Sequence, residues 1–91
     1  MKNRQLDEVV DVCSMLADLT RASIIASLAR GPKSVGELCR QLTTAQPTVS
    51  HHLALLRMAR LVLRQRQGKQ MIYALDADRL KPLEKFLAGL R

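Results

Sequence analysis

The sequence predicts a mostly helical α+β chain in which four helices are followed by a β-hairpin and a closing helix. Three observations carry that expectation. Apolar residues recur at spacings of three and four through the first two-thirds of the chain, the mark of amphipathic helices. The period then changes on either side of Gly68-Lys69, and helical spacing returns beyond Asp76. At 91 residues there is room for one domain, 1–91. Aromatic residues are only Tyr73 and Phe86, so the core must be built from aliphatic side chains.

Leu6, Val9, Val10, Cys13, Leu16 and Ala17 form the first apolar stripe. Asp18 is placed to cap a second helix carrying Ile24, Ile25 and Leu28. Gly31-Pro32 ends it, because glycine tolerates the left-handed position after a helix and proline cannot continue one. Ser34 and Glu37 have the spacing of a capping box, opening a third helix that runs to about Leu42. Thr43-Thr44-Ala45 reads as a tight turn, and Pro47 suits the first turn of a fourth helix, where its missing N–H is not needed. Val49, Leu53 and Leu56 give that helix its apolar face. Two short helices joined by such a turn form a helix-turn-helix, here 34–58. Residues 61–67 and 70–75 flank the Gly68-Lys69 turn as a hairpin. The last helix, expected to begin near Asp76 or Asp78, shows Leu80, Leu83, Phe86, Leu87 and Leu90 at helical spacing. Pro82 leaves its start uncertain by a few residues.

Charge narrows the function. The net charge is +7, distributed as −2 over residues 1–20, +8 over residues 21–75 and +1 over residues 76–91. A basic middle between near-neutral ends suits a polyanion-binding surface, although solubilising charge alone would leave a similar excess. No segment reaches the roughly 18 apolar residues a membrane span needs. Acidic residues interrupt the N-terminal stretch where a signal peptide needs an apolar run. A cytoplasmic protein, with reduced thiols at Cys13 and Cys39, is the expectation. Gly-rich phosphate loops, nucleophile elbows and clusters of metal ligands are all missing from the sequence, so an enzyme is not expected.

The outer face of the fourth helix is unusual for a solvated one. Pro47, Ser50, His51 and Ala54, flanked by Gln46, Thr48 and Leu55, replace the Glu and Lys that such a face normally carries. Small polar residues there suit the major groove, where base edges are read by hydrogen bonding at close approach. Arg57 and Arg60 at the helix end, with Arg64, Arg66 and Lys69 on the hairpin, suit phosphates, which fix position without reading sequence.

The stretch AQPTVSHHLALLRMARLV from Ala45 to Val62, with RQRQGKQMIYAL after it, closely resembles the ArsR/SmtB family of winged-helix repressors. LADLTRASIIASLARG and SVGELCRQL match the family's second and third helices in order and spacing, so the resemblance covers roughly residues 14 to 90. It implies a winged helix-turn-helix in which residues 61–75 are the wing. It further implies a homodimer paired through the first and last helices, 1–17 and 77–91, and repression by occupation of an inverted-repeat operator. The interface would then include Leu6, Val9, Val10, Cys13, Leu80, Leu83, Phe86, Leu87 and Leu90. Gln46, Thr48, Ser50 and His51 would contact bases or groove.

The family's metal sites do not carry over. Where arsenic sensors of this type hold a Cys-x-Cys pair, this chain has Ser34 and Gly36, and residues 76–91 lack the histidine that a last-helix zinc site requires. Persulfide-type sensors place cysteines on the second and last helices, whereas Cys13 and Cys39 fall on the first and third. Neither a metal nor a cofactor is expected. Cys13, on an apolar helix face, reads as a small packing residue, and a thiol or metalloid sensor built on Cys13 and Cys39 is the lesser alternative. His52 is expected at the core edge, since adjacent helical residues point about 100° apart and His51 takes the outer face. Two other readings stand beside a repressor: a winged-helix protein-interaction module without DNA binding, and a protein that recognises double-stranded RNA by shape. The inducer, if one exists, cannot be named from these residues.

Overall fold

The computed structural model describes residues 3–91. Its elements are α1 (Arg4–Leu16), α2 (Leu19–Leu28), β1 (Lys33–Ser34), α3 (Val35–Leu42), α4 (Gln46–Met58), β2 (Val62–Gln67) and β3 (Gln70–Leu75). A 3₁₀ turn, Ala77–Leu80, then leads into α5 (Lys81–Gly89). This is a helix-turn-helix with a β wing, in the expected order.

Local chemistry sets the helix starts. Asn3 Oδ1 accepts from the Leu6 N–H, and Asp18 Oδ1 accepts from the Arg21 N–H. Ser34 and Glu37 form the reciprocal capping box, Ser34 Oγ accepting from Glu37 N–H at 3.2 Å and Glu37 Oε1 from Ser34 N–H at 3.1 Å. These hydrogen bonds to the ionised carboxylates hold Asp18 and Glu37 below the usual carboxylate range.

The core packs α2, α3 and α4 under the wing. Ile24, Leu38, Val49, Leu53, Leu56 and Leu61 are fully buried, and Val12 of α1 and Tyr73 of β3 close the cluster from either side. Each fully buried aliphatic side chain contributes about 1.5–3 kcal/mol.

The end of α4 aims the chain into the wing. Arg60 adopts a left-handed φ of 62°. Its N–H donates to the Arg57 carbonyl, and the Leu61 N–H reaches back to the Leu56 carbonyl at 2.9 Å. That pairing is a Schellman motif, and Leu56 and Leu61 supply its apolar contact, both fully buried. Arginine holds a conformation that costs a residue with a Cβ about 1–2 kcal/mol. Arg60→Gly is therefore expected to raise stability by about 0.5–1 kcal/mol after glycine's own entropic cost. An unchanged or lowered urea midpoint would contradict this account of the helix end.

β2 and β3 pair antiparallel from Val62↔Leu75 to Gln67↔Gln70, and Gly68 opens the two-residue loop with φ 62°. β1 adds a third strand to the other edge of β3, through Lys33↔Tyr73 and Ser34↔Ile72. A two-residue strand is too short to carry a period, and the sequence reading lacks it.

Two expectations need correcting. The last α-helix begins at Lys81, not near Asp76 or Asp78. Pro82 has no N–H to give the Asp78 carbonyl, so the chain takes a 3₁₀ turn over Ala77–Leu80 before α5 starts. The apolar stripe of α1 is also not one face but two. Val9 and Val12 are buried and Leu16 packs on the core, whereas Leu6, Val10, Cys13 and Ala17 are exposed. At 100° per residue the apolar set spans roughly 120°, and only the edge of Val9 and Leu16 meets the core, where the sequence reading missed Val12 as the deepest member.

Candidate nucleic-acid interface

The turn between α3 and α4 fixes the presentation of α4. Thr43 ends α3 in the left-handed conformation at φ 50°, and the Thr44 N–H returns to the Cys39 carbonyl at 3.1 Å. Ala45 precedes α4 in extended conformation and offers no side-chain cap, unlike the residues before α1, α2 and α3. The first-turn N–H groups of α4 are thus left to solvent at the positive end of its dipole.

Val49, Leu53 and Leu56 root α4 in the core, which forces the opposite face outward. Gln46, Pro47, Thr48, His51 and Ala54 are exposed, and Ser50 is half-buried. No carboxylate lies within α4 itself. Arg57, Arg60, Arg64, Arg66 and Lys69 are all exposed, two around the end of α4 and three on the wing. Among the described residues, Lys81 pairs with Asp78 and His52 Nδ1 stands 4.0 Å from Asp18, so none of these five cations is neutralised by a carboxylate. Of the base- and phosphate-contact positions expected from the sequence, all but the half-buried Ser50 are exposed.

The two histidines part as expected. His51 faces solvent, whereas the His52 side chain is 14% exposed and meets Arg21 and Asp18. Their rings lie 5.4 Å apart, edge to face. Among the described residues, no group of three or more His, Cys, Asp or Glu is disposed to hold a metal ion. Both cysteines are free thiols: Cys39 packs half-buried against the core, and Cys13 is exposed on α1. Cys13 is therefore not a packing residue of its own chain, because the inward face of α1 is taken by Val9 and Val12.

The residues expected to form a dimer contact divide in the same way. Val9 is buried, and Leu80 and Leu83 pack against the core of their own chain. Leu6, Val10, Phe86, Leu87 and Leu90 remain exposed, and Leu6 and Phe86 line one small cleft between α1 and α5. Among the described residues, no helix is long and apolar enough to cross a membrane.

Residues 18–63, from the α2 cap to the start of the wing, match the model of the bacterial regulatory protein arsR family. The chain belongs to the ArsR family. It is 47% identical over 75 residues to the HTH-type transcriptional regulator KmtR of Mycobacterium tuberculosis, covering 82% of this chain and 58% of that protein. It is 38% identical over 87 residues to the biofilm growth-associated repressor of Agrobacterium fabrum, covering 96% of this chain and 74% of the relative. Among solved structures, HlyU from Vibrio cholerae superposes with a TM-score of 0.83 at 28% identity, over 98% of this chain and 97% of that one. The homodimeric winged helix-turn-helix domain of Mb0332 from Mycobacterium bovis gives 0.75 at 28% identity, over 98% and 88%. The chain spans 58% and 64% of the length of the two mycobacterial regulators that it matches at 47% identity.

Proposed function

We propose that this chain binds double-stranded operator DNA as a homodimer and represses transcription from the bound site. It would act by occupancy rather than catalysis, as a cytoplasmic protein whose single domain spans residues 1–91. The observation that carries the reading is the α4 surface. An uncapped helix end with exposed Gln46, Thr48 and His51 and no carboxylate adjoins five cations that no carboxylate neutralises. Small hydrogen-bonding groups read base edges in the major groove, and arginines and lysine on the flank hold phosphates. A relative named as a repressor and a homodimeric structural neighbour support the direction of control and the stoichiometry. The exposed apolar residues of α1 and α5 supply the surface through which two copies would pair. The operator is then an inverted repeat, its half-sites one helical turn or a multiple apart.

Selection against random duplex DNA, followed by fluorescence anisotropy on the enriched sites at two salt concentrations, tests this directly. Ser50→Ala and His51→Ala are expected to relax sequence preference, each costing about 1–3 kcal/mol at its base pair. Arg64→Ala and Lys69→Ala should weaken all duplexes alike and lower the salt dependence by about one counterion each. If no site is enriched and all four substitutions leave affinity unchanged, the groove assignment is wrong.

A further inference from the structure

One side chain joins three helices. Arg21, in the first turn of α2, sends Nε to the Met15 carbonyl at 2.8 Å and Nη2 to the Ser14 carbonyl at 3.5 Å. Both acceptors lie in the last turn of α1, where the Ser14 carbonyl also takes the Ala17 N–H at 3.4 Å. Its third nitrogen, Nη1, lies 3.4 Å from His52 Nδ1 on α4. An arginine has no acceptor, so a bond here requires the neutral imidazole with an unprotonated Nδ1. Asp18 closes the group: its Oδ1 caps α2 through the Arg21 backbone N–H at 3.0 Å and stands 4.0 Å from the same His52 nitrogen.

His52 adjoins His51 on the helix, and its own side chain is almost wholly covered. It cannot reach a DNA groove from that position. We propose that Arg21 and His52 form a positioning clamp, which sets α4 against the end of α1 and so couples the helix that pairs the subunits to the helix that reads DNA. This rests on the DNA-binding function proposed above. The planar guanidinium is what makes the clamp: its fixed fork meets two carbonyls on one side and an imidazole on the other, whereas an ammonium gives a point charge on a flexible stem. A movement of α1 during pairing of two subunits is passed to α4 through one rigid group.

The test uses the full-length dimer and the operator found by selection. Arg21→Lys keeps the charge but not the fork, and His52→Leu removes the acceptor. His52→Asn puts an amide oxygen close to where Nδ1 stands. Arg21→Lys and His52→Leu are each expected to lower operator affinity about tenfold, and the double variant by no more than either alone, because both break one interaction. His52→Asn should stay within about threefold of wild type. The salt dependence of binding should not change in any of them, since neither side chain touches a phosphate. Hydrogen exchange on the free protein should show faster exchange in α4 of Arg21→Lys while the sedimenting mass stays that of the wild type.

Additive losses, or a His52→Asn protein as weak as His52→Leu, would overturn the clamp while leaving the DNA-binding function intact. A shallower salt dependence in an Arg21→Gln protein, which lacks the charge, would overturn it too, by showing that Arg21 contacts DNA itself. Wild-type protein that selects no duplex would overturn both.

Discussion

Leu53→Ala is expected to destabilise the protein by about 2–5 kcal/mol. Leu53 is fully buried on α4, one turn from both Val49 and Leu56 on the same face. It belongs to the buried cluster that also holds Ile24, Leu38 and Leu61, and α4 packs on α2, α3 and β2, so truncation leaves a cavity that several elements would have to move together to fill. Against a total stability of roughly 5–15 kcal/mol, such a loss is a large fraction for a chain of this size. The effect should reach function as well. α4 carries Gln46, Thr48 and His51 outward only because Leu53 and its neighbours hold the other side inward. Urea denaturation followed by circular dichroism reads the first effect directly. Ala54→Ser, one residue on and exposed, should change the stability by less than about 0.5 kcal/mol. Equal midpoints for the two variants would mean that α4 is not anchored through this face.

The elements legible in the sequence are those whose local chemistry and period agree. Ser34 and Glu37 announce the start of α3 because a capping box needs only those two side chains at that spacing. Asp18 announces α2 in the same way, and Gly68 announces the hairpin because its φ of 62° excludes most other residues. The outer face of α4 was legible by subtraction: Val49, Leu53 and Leu56 claim the core, and the remaining residues must face out. What escaped depends on tertiary pairing or on backbone geometry that no residue type advertises. β1 exists only because Lys33 and Ser34 meet Tyr73 and Ile72, residues distant in sequence. The left-handed turn at Arg60 uses a residue with no preference for it, and its signal is the burial of Leu56 with Leu61, not the arginine. The inward and outward faces of α1 could not be separated because both are apolar. A stripe of apolar residues wider than one contact is ambiguous until the helix's neighbour is known. The contact between Arg21 and His52 was equally invisible. It joins residues thirty-one positions apart, and nothing in either segment names the other.

Leu87→Glu combined with Leu90→Glu should yield a folded monomer that has lost most of its operator affinity. The expectation follows from how α5 divides its apolar residues. Leu83 packs inward on its own chain, whereas Leu87 and Leu90 are 50% and 68% exposed, and Val10 of α1, the helix that packs against α5, is 62% exposed. A cluster of uncovered aliphatic side chains on two contiguous helices marks an association site. Two carboxylates placed there cost little in the isolated chain, which leaves these positions in water, but must be desolvated without a partner if two copies meet. Circular dichroism should therefore stay native while the sedimenting mass halves. Operator affinity should fall by about 10²–10⁴, because each half-site then binds alone without the effective concentration that its linked neighbour supplies. Leu83→Ala provides the contrast: it should lower the stability by about 2–5 kcal/mol at most and leave the protein paired wherever it is folded. Were the double glutamate protein still to sediment and bind as the wild type does, the α5 surface would not be where two copies meet. The exposed leucines would then need a different partner, and the coupling of α1 to α4 through Arg21 would act within one subunit instead of transmitting subunit pairing.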